Sequence, residues 1–255
     1  MNKQGNTYTF IYSIVLVVVV AAILAFVSLS LKPYQDENIK NEKRQNILSS
    51  VRVESTPENS EKLFNDIIKK QYILNYKGEV LGENAFDVDI PSQGKKFQTV
   101  MKNDPKLQEA LKEGKPISSI ENPALAQIQF PVFEAEIDGT TKYILPVYGT
   151  GLQGPIWAYI SIDTDKNTIY GTMFAHKGET PGLGGEITTQ KFNEQFRGKT
   201  LFEGNELQSF HVKKGGNATG THEVDAISGG TITSNGVQAM LNNYFKGYEQ
   251  FLKQR

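Results

Sequence analysis

Hydrophobic and polar positions divide the chain into three textures. Residues 10–31 are almost unbroken apolar sequence, centred on Val15-Leu16-Val17-Val18-Val19-Val20, and no charged side chain occurs from residue 4 to residue 31. At about 1.5 Å per residue this run spans roughly 33 Å as a helix, enough for a bilayer's hydrocarbon core. Tyr8 and Tyr12 stand where interfacial aromatics belong. A cleaved export signal has an apolar stretch of about 7–15 residues that ends at a small-residue site. Here the run is longer, and residues 27–32 contain no such site. The pattern predicts a tail over residues 1–9 and a retained transmembrane helix over 10–31. Flanking charge leaves sidedness open, with Lys3 before the run and Lys32, Lys40, Lys43 and Arg44 after it.

The second texture, residues 32–75, reads as a helical connector. Residues 36–51 form a charged helical stretch with Ile39, Ile47, Leu48 and Val51 as sparse apolar positions. After Thr56-Pro57, residues 60–74 set Leu63, Phe64, Ile67, Ile68 and Tyr72 on one helix face. The third texture, residues 76–255, begins with short alternating runs. Residues 130–137 and 142–147 flank Asp138-Gly139, a hairpin signal, and 156–162 and 168–175 flank a turn at 163–167. Residues 104–113 and 189–196 read as short surface helices, and 207–212 as a strand. The last helix is the clearest, with Val237, Met240, Leu241, Tyr244, Phe245, Tyr248, Phe251 and Leu252 along one stripe. The expected fold class is α+β: a single N-terminal transmembrane helix, then one soluble domain with an antiparallel sheet flanked by helices.

Composition narrows the chemistry. The 255 residues carry 27 Lys+Arg against 28 Asp+Glu, so no basic excess suits nucleic acid. Absence of Cys removes disulfides, thiol catalysis and Cys-ligated zinc or iron–sulfur centres from this chain. His176, His211 and His222 lack ligand spacing, so no metal site is expected. There is no nucleophile elbow and no GxGxxG strand–helix unit, so no catalytic residue is expected, and the membrane run holds no acidic residue for an ion path.

Three glycine-rich segments carry the candidate site. Residues 225–236, Asp-Ala-Ile-Ser-Gly-Gly-Thr-Ile-Thr-Ser-Asn-Gly, stand just before the last helix. Their paired glycines and the helix start favour an anionic oxygen beside Thr231; a plain turn with Thr233, Ser234 or Asn235 as N-cap fits equally. Residues 176–186 make a shaped loop able to lie against a flat aromatic ligand, with Glu179 and Thr180 available to polar ring edges. As an isolated feature this loop is also an ordinary strand-to-helix connection. Residues 149–157 form a glycine-rich turn entering a strand.

Residues 225–231 resemble the Asp-x-x-(Ser/Thr)-Gly-Ala-Thr motif recognised by bacterial flavin transferases, which esterify the phosphate of FMN to the final threonine, here Thr231. Gly230 stands where that motif usually has Ala. Residues 178–185, Gly-Glu-Thr-Pro-Gly-Leu-Gly-Gly, are closely similar to a loop of the NqrC family, the C subunits of sodium-translocating NADH:quinone reductases (Nqr). Residues 149–157 resemble that family's third signature. With the single anchor, the resemblance extends over essentially the whole chain. The G subunit of the Rnf complex shares the anchor and flavin motif, but residues 178–180, 184–186 and 234–238 look more like Nqr.

The resemblance implies covalent FMN on Thr231, with Asp225, Ser228, Gly229, Gly230 and Thr233 around it. Glu179, Thr180, Gly182, Leu183 and Gly184 would come from the second segment and Leu152 from the third. Trp157 would lie against the flavin or in the core, and Lys213 near its phosphate or at a solvated strand end. It further implies an electron-carrier subunit in a complex that oxidises NADH, reduces ubiquinone and exports Na+. The implied partners are the A, B, D, E and F subunits of Nqr and a flavin transferase. The implied location is the bacterial inner membrane, with the large domain periplasmic. The alternatives are the G subunit of an Rnf complex and a flavin-free, membrane-anchored scaffold protein of the same fold.

Overall fold

The computed structural model describes residues 5–254. Helix α1 runs Asn6–Ser50 as one element through Pro33, so the apolar run and the charged stretch after it are continuous. It contains a stretch long and apolar enough to cross a membrane, and its side chains over residues 10–31 are exposed. The chain divides into two compact units after Arg44. The end of α1 belongs to the second unit, where Ile47, Leu48 and Val51 are buried and Ser161 Oγ donates to the Ser50 carbonyl at 2.6 Å.

In the second unit follow α2 (Ser60–Ile67), β1 (Ile68–Leu74), β2 (Val80–Gly82), α3 (Ile90–Asn103), α4 (Pro105–Lys112) and the one-turn α5 (Pro123–Ala126). Then come β3 (Phe130–Ile137), β4 (Thr140–Thr150), β5 (Pro155–Ile162), β6 (Ile169–His176) and α6 (Gln190–Glu194). Short strands β7 (Phe202–Glu203), β8 (Glu206–Leu207), β9 (His211–Lys213) and β10 (Glu223–Asp225) precede α7 (Thr231–Lys253). The main sheet is antiparallel with order β2-β1-β3-β4-β5-β6. Both anticipated hairpins form, and Asp138 and Gly139 take the positive φ, 49° and 72°, that a tight turn of this hand needs.

Several elements depart from the expected pattern. The helix expected over 60–74 ends at Ile67, because β1 pairs along β3 and the Tyr72 hydroxyl donates to Glu134 at 3.0 Å. Helix α3 has no counterpart in the expected pattern; its start is local, with Asp89 capping Ser92 N–H at 3.0 Å and a proline in the first turn. The strand expected over 207–212 is broken at Phe210, whose N–H donates to Asn242 Oδ1 at 2.7 Å and whose carbonyl accepts from Asn242 Nδ2 at 3.0 Å. Helix α7 starts at Thr231, six residues before its apolar stripe.

Helix α7 lies across the sheet. Phe130 packs edge-on against Tyr244 and Tyr248, and Phe251 against Tyr72 and Tyr143; such pairs add roughly 0.5–1.5 kcal/mol each beyond area burial. The buried Tyr248 hydroxyl reaches the carbonyls of Pro131 at 2.8 Å and Pro146 at 3.1 Å. Close approach at the N-terminal end of α7 requires two glycines. A Cβ on Gly149 would meet Met240 Cβ at 2.8 Å, and one on Gly236 would strike the Thr150 carbonyl. The N-terminal end of α7 is thereby set against the end of β4.

Candidate flavin site

Thr231 is the first residue of α7, and Gly230, which has no capping side chain, precedes it. The first intrahelical bond is Ser234 N–H to the Gly230 carbonyl at 2.8 Å, so the amides of Thr231, Ile232 and Thr233 have no acceptor within the helix. The first turn contains no acidic residue. Partial positive charge therefore collects beside a half-buried threonine hydroxyl, an arrangement suited to a phosphate. The approach is shaped by Gly229, at φ +71°, where a Cβ would stand 2.6 Å from Leu183 Cδ2. Ser234 Oγ accepts from Ile227 N–H at 3.1 Å and closes the turn behind it.

A single buried carboxylate ties the three glycine-rich segments together. Glu179, 4% exposed, accepts from Thr233 Oγ1 at 2.6 Å and from Gln153 N–H at 2.8 Å, while its own N–H donates to His176 Nδ1 at 3.1 Å. Its carboxylate is thus turned inward, not toward the ring edges that the loop's sequence suggests. Gly151 and Gly184 make room for it: a Cβ on either would collide with the Glu179 carboxylate, and one on Gly184 would also stand 2.5 Å from Thr233 Oγ1. Gly182, at φ +76°, donates to Glu186 Oε1 at 3.0 Å, and the Thr180 carbonyl accepts from Leu183 and Gly185 N–H. Gly230 is also tight; a Cβ there would lie 3.0 Å from Ile227 Cγ2 and 3.4 Å from Gly184 N.

Among the described residues, none of the remaining expected ones hydrogen-bonds to Glu179 or Thr231. Asp225 Oδ1 accepts from Ala218 N–H at 2.8 Å, and its own N–H donates to Gln195 Oε1 at 2.7 Å, so it braces the preceding loop. Lys213 pairs with Glu223 at 2.5 Å, and its carbonyl accepts from Ala226 N–H. The Lys213 ammonium, helped by the Gly220 N–H, holds the Glu223 carboxyl below its usual range. Ser228 is exposed. Gly149, which faces Met240 of α7, pairs with Ile156, so strand alternation puts Trp157 on the opposite face of the sheet. The sequence pattern does not reveal the parts of Gln153 and His176, which act through a backbone N–H and a ring nitrogen, and Ser234, an N-cap candidate by sequence, instead accepts from Ile227 N–H through its hydroxyl.

In the second unit the exposed large apolar side chains, among the described residues, are Val80, Leu81, Leu152, Leu183 and Ile232. The last three come one from each of the segments that Glu179 joins, so the junction carries an apolar surface beside its anion-friendly helix end. No group of metal-ligating side chains occurs among the described residues.

A helix start with free amides beside an exposed apolar surface suits a phosphate-bearing ligand, and the FMN-binding domain family matches residues 151–246. The C subunit of the Na(+)-translocating NADH-quinone reductase of Pasteurella multocida is 34% identical over 247 residues, covering 96% of this chain and 90% of that protein. The corresponding C subunit of Vibrio anguillarum is 46% identical over 102 residues, 40% of each chain. Among solved structures, the C subunit from Parabacteroides distasonis is 40% identical with a TM-score of 0.71, covering 88% of this chain and 98% of that one. NqrC of Shewanella oneidensis is 28% identical with a TM-score of 0.65, covering 84% and 96%. The chain belongs to the NqrC family, the C subunits of the Na(+)-translocating NADH-quinone reductase, an oxidoreductase complex, and carries the FMN-binding domain of that family.

Proposed function

We propose that this chain holds FMN covalently through a phosphodiester on the Thr231 hydroxyl and relays electrons between redox centres of the reductase during NADH oxidation, quinone reduction and Na+ export. The observation that carries the reading is the position of Thr231. It opens α7 beside three unpaired amides, and the buried Glu179 bridge holds the two other glycine-rich segments against the same turn. FMN, when bound, supplies the one- and two-electron chemistry. The protein's part is to bind and orient. The first-turn amides receive phosphate charge, Gly229 and Gly230 let it approach, and Leu152, Leu183 and Ile232 offer apolar contact to a flat ring. Attachment at Thr231 retains the cofactor at a shallow position that redox partners can approach.

Residues 10–31 anchor the chain in the bacterial inner membrane with the second unit on the periplasmic side, and the partners are the other Nqr subunits and a flavin transferase. The test is intact-mass measurement after co-expression with a flavin transferase. Wild type should gain the mass of FMN less one water, with the adduct on the peptide containing Thr231. An unmodified peptide would leave a flavin-free scaffold as the reading.

A further inference from the structure

A cleft of ≈ 610 Å³ runs along the flank of α7, between it and the α3–α4 pair. Met101, Leu111 and Met240 make an apolar, adaptable floor, and Gln98, Gln108 and Asn243 add polar groups to the same lining. Lys102, Lys112 and Lys246 stand around it, and no carboxylate lines it. Among the described residues these three lysines make no ion pair, as is true of several other surface lysines; what is particular here is that three of them surround one cleft. Lys246 is half-buried, and that burial pushes its amine below the usual lysine range. The nearby Glu249 is bonded to Lys253 at 2.6 Å. Lys102 and Lys112 each lie in the last turn of a helix, which accounts for a basic residue there but not for three unpaired cations around one apolar floor. The cleft ends at Thr150 and Gly236, where α7 touches the strand leading into residues 151–154 of the flavin junction.

We infer that this groove docks an acidic, partly apolar segment of a neighbouring subunit of the reductase and seats that subunit beside the flavin-bearing end of α7. The methionine floor accepts apolar side chains of varied shape, and the lysines select carboxylates flanking them. The inference rests on the subunit reading above, and its test separates the two.

The chain has no Cys, so Ala239→Cys introduces one exposed thiol in the groove for a photo-crosslinker on the full-length protein in the assembled complex. The expected product is a cross-link to an Asp- or Glu-bearing segment of another subunit. Its yield should fall about tenfold with Lys102→Glu plus Lys112→Glu, and less with the two Lys→Gln changes, which separate partner recognition from helix-end charge. Flavin mass should match wild type in both variants, and the thermal transition should fall only by the small loss of helix-end charge, more in the Glu variant than in the Gln variant. A cross-link unaffected by charge reversal would overturn the inference. So would the absence of any protein adduct in a complex that still copurifies, including the case where inorganic phosphate raises the thermal transition of wild type but not of the Glu variant. Failure of the wild-type chain to copurify with any Nqr subunit would overturn the subunit reading and this inference with it.

Discussion

From Met240 to Leu252, α7 buries Tyr244 and Tyr248 against Phe130 and Phe97, Phe251 against Tyr72 and Tyr143, and Phe245 against Phe210. Its first turn instead carries a half-buried threonine, an exposed isoleucine and three amides without intrahelical acceptors. One helix thus joins a saturated end to an unsaturated one. The saturated end contributes the packing energy, which lets the other end keep unpaired polar groups without unfolding. Stability and ligand capacity should therefore respond to different substitutions.

The largest expected effect is at the aromatic end. Phe130→Ala removes a ring that fills the notch at Gly247 and meets three other aromatics, which should cost about 3–5 kcal/mol in denaturant unfolding. Flavin mass in the surviving folded protein should be unchanged; parallel loss of the adduct would show that the two ends are not separable. At the junction, Glu179→Gln keeps the volume but turns an amide donor toward one of the two groups, the Thr233 hydroxyl and the Gln153 N–H, that donate to the carboxylate. A loss of about 1–3 kcal/mol is expected. Flavin yield should fall as well, unlike in the Phe130 variant, and mass measurement on both reads the difference.

Acid should act on the saturated end, where the β5–β6 turn meets the end of α7 through Lys166, which donates to the Gln254 carbonyl at 2.8 Å. Burial pushes the Asp165 carboxyl up, but hydrogen bonds from Thr168 and Asn167 outweigh it and leave the group below its usual range. A depressed folded pKa means the carboxylate stabilises above its unfolded pKa and that this stability is lost as pH falls through the folded value. Thermal transitions measured from neutral pH downward should fall in wild type, and less steeply in Asp165→Asn. Gly230→Ala is the mildest junction change. Its φ of −106° admits any residue, and the new methyl asks Ile227 to yield by a few tenths of an ångström. Stability should move by less than about 1 kcal/mol with the flavin adduct retained. Loss of the adduct would make Gly230 a requirement of this chain.

Local pattern in the sequence carries part of this picture. The membrane-length run, both hairpins, the stripe of α7 and the three glycine-rich segments are written in residue type and spacing. The remainder depends on contacts between distant residues. Ile68 and Tyr72 fit a helix face, and only pairing along β3 makes their segment a strand. Phe210 fits a strand, and only Asn242, on α7, pulls it out of the ladder. Glu179 reads as a ligand-facing carboxylate because nothing near it in sequence shows that Thr233, 54 residues later, donates to it. Thr231 is legible as a motif residue; its place as the first residue of α7 is not, since the apolar stripe begins only at Val237.

The most direct test of the division within α7 is Thr231→Ala, measured for mass and for unfolding on one preparation co-expressed with a flavin transferase. The account predicts complete loss of the FMN adduct with stability within about 0.5 kcal/mol of wild type lacking flavin, because no packing is removed. An adduct that persists in Thr231→Ala, or a protein that no longer folds, would contradict it.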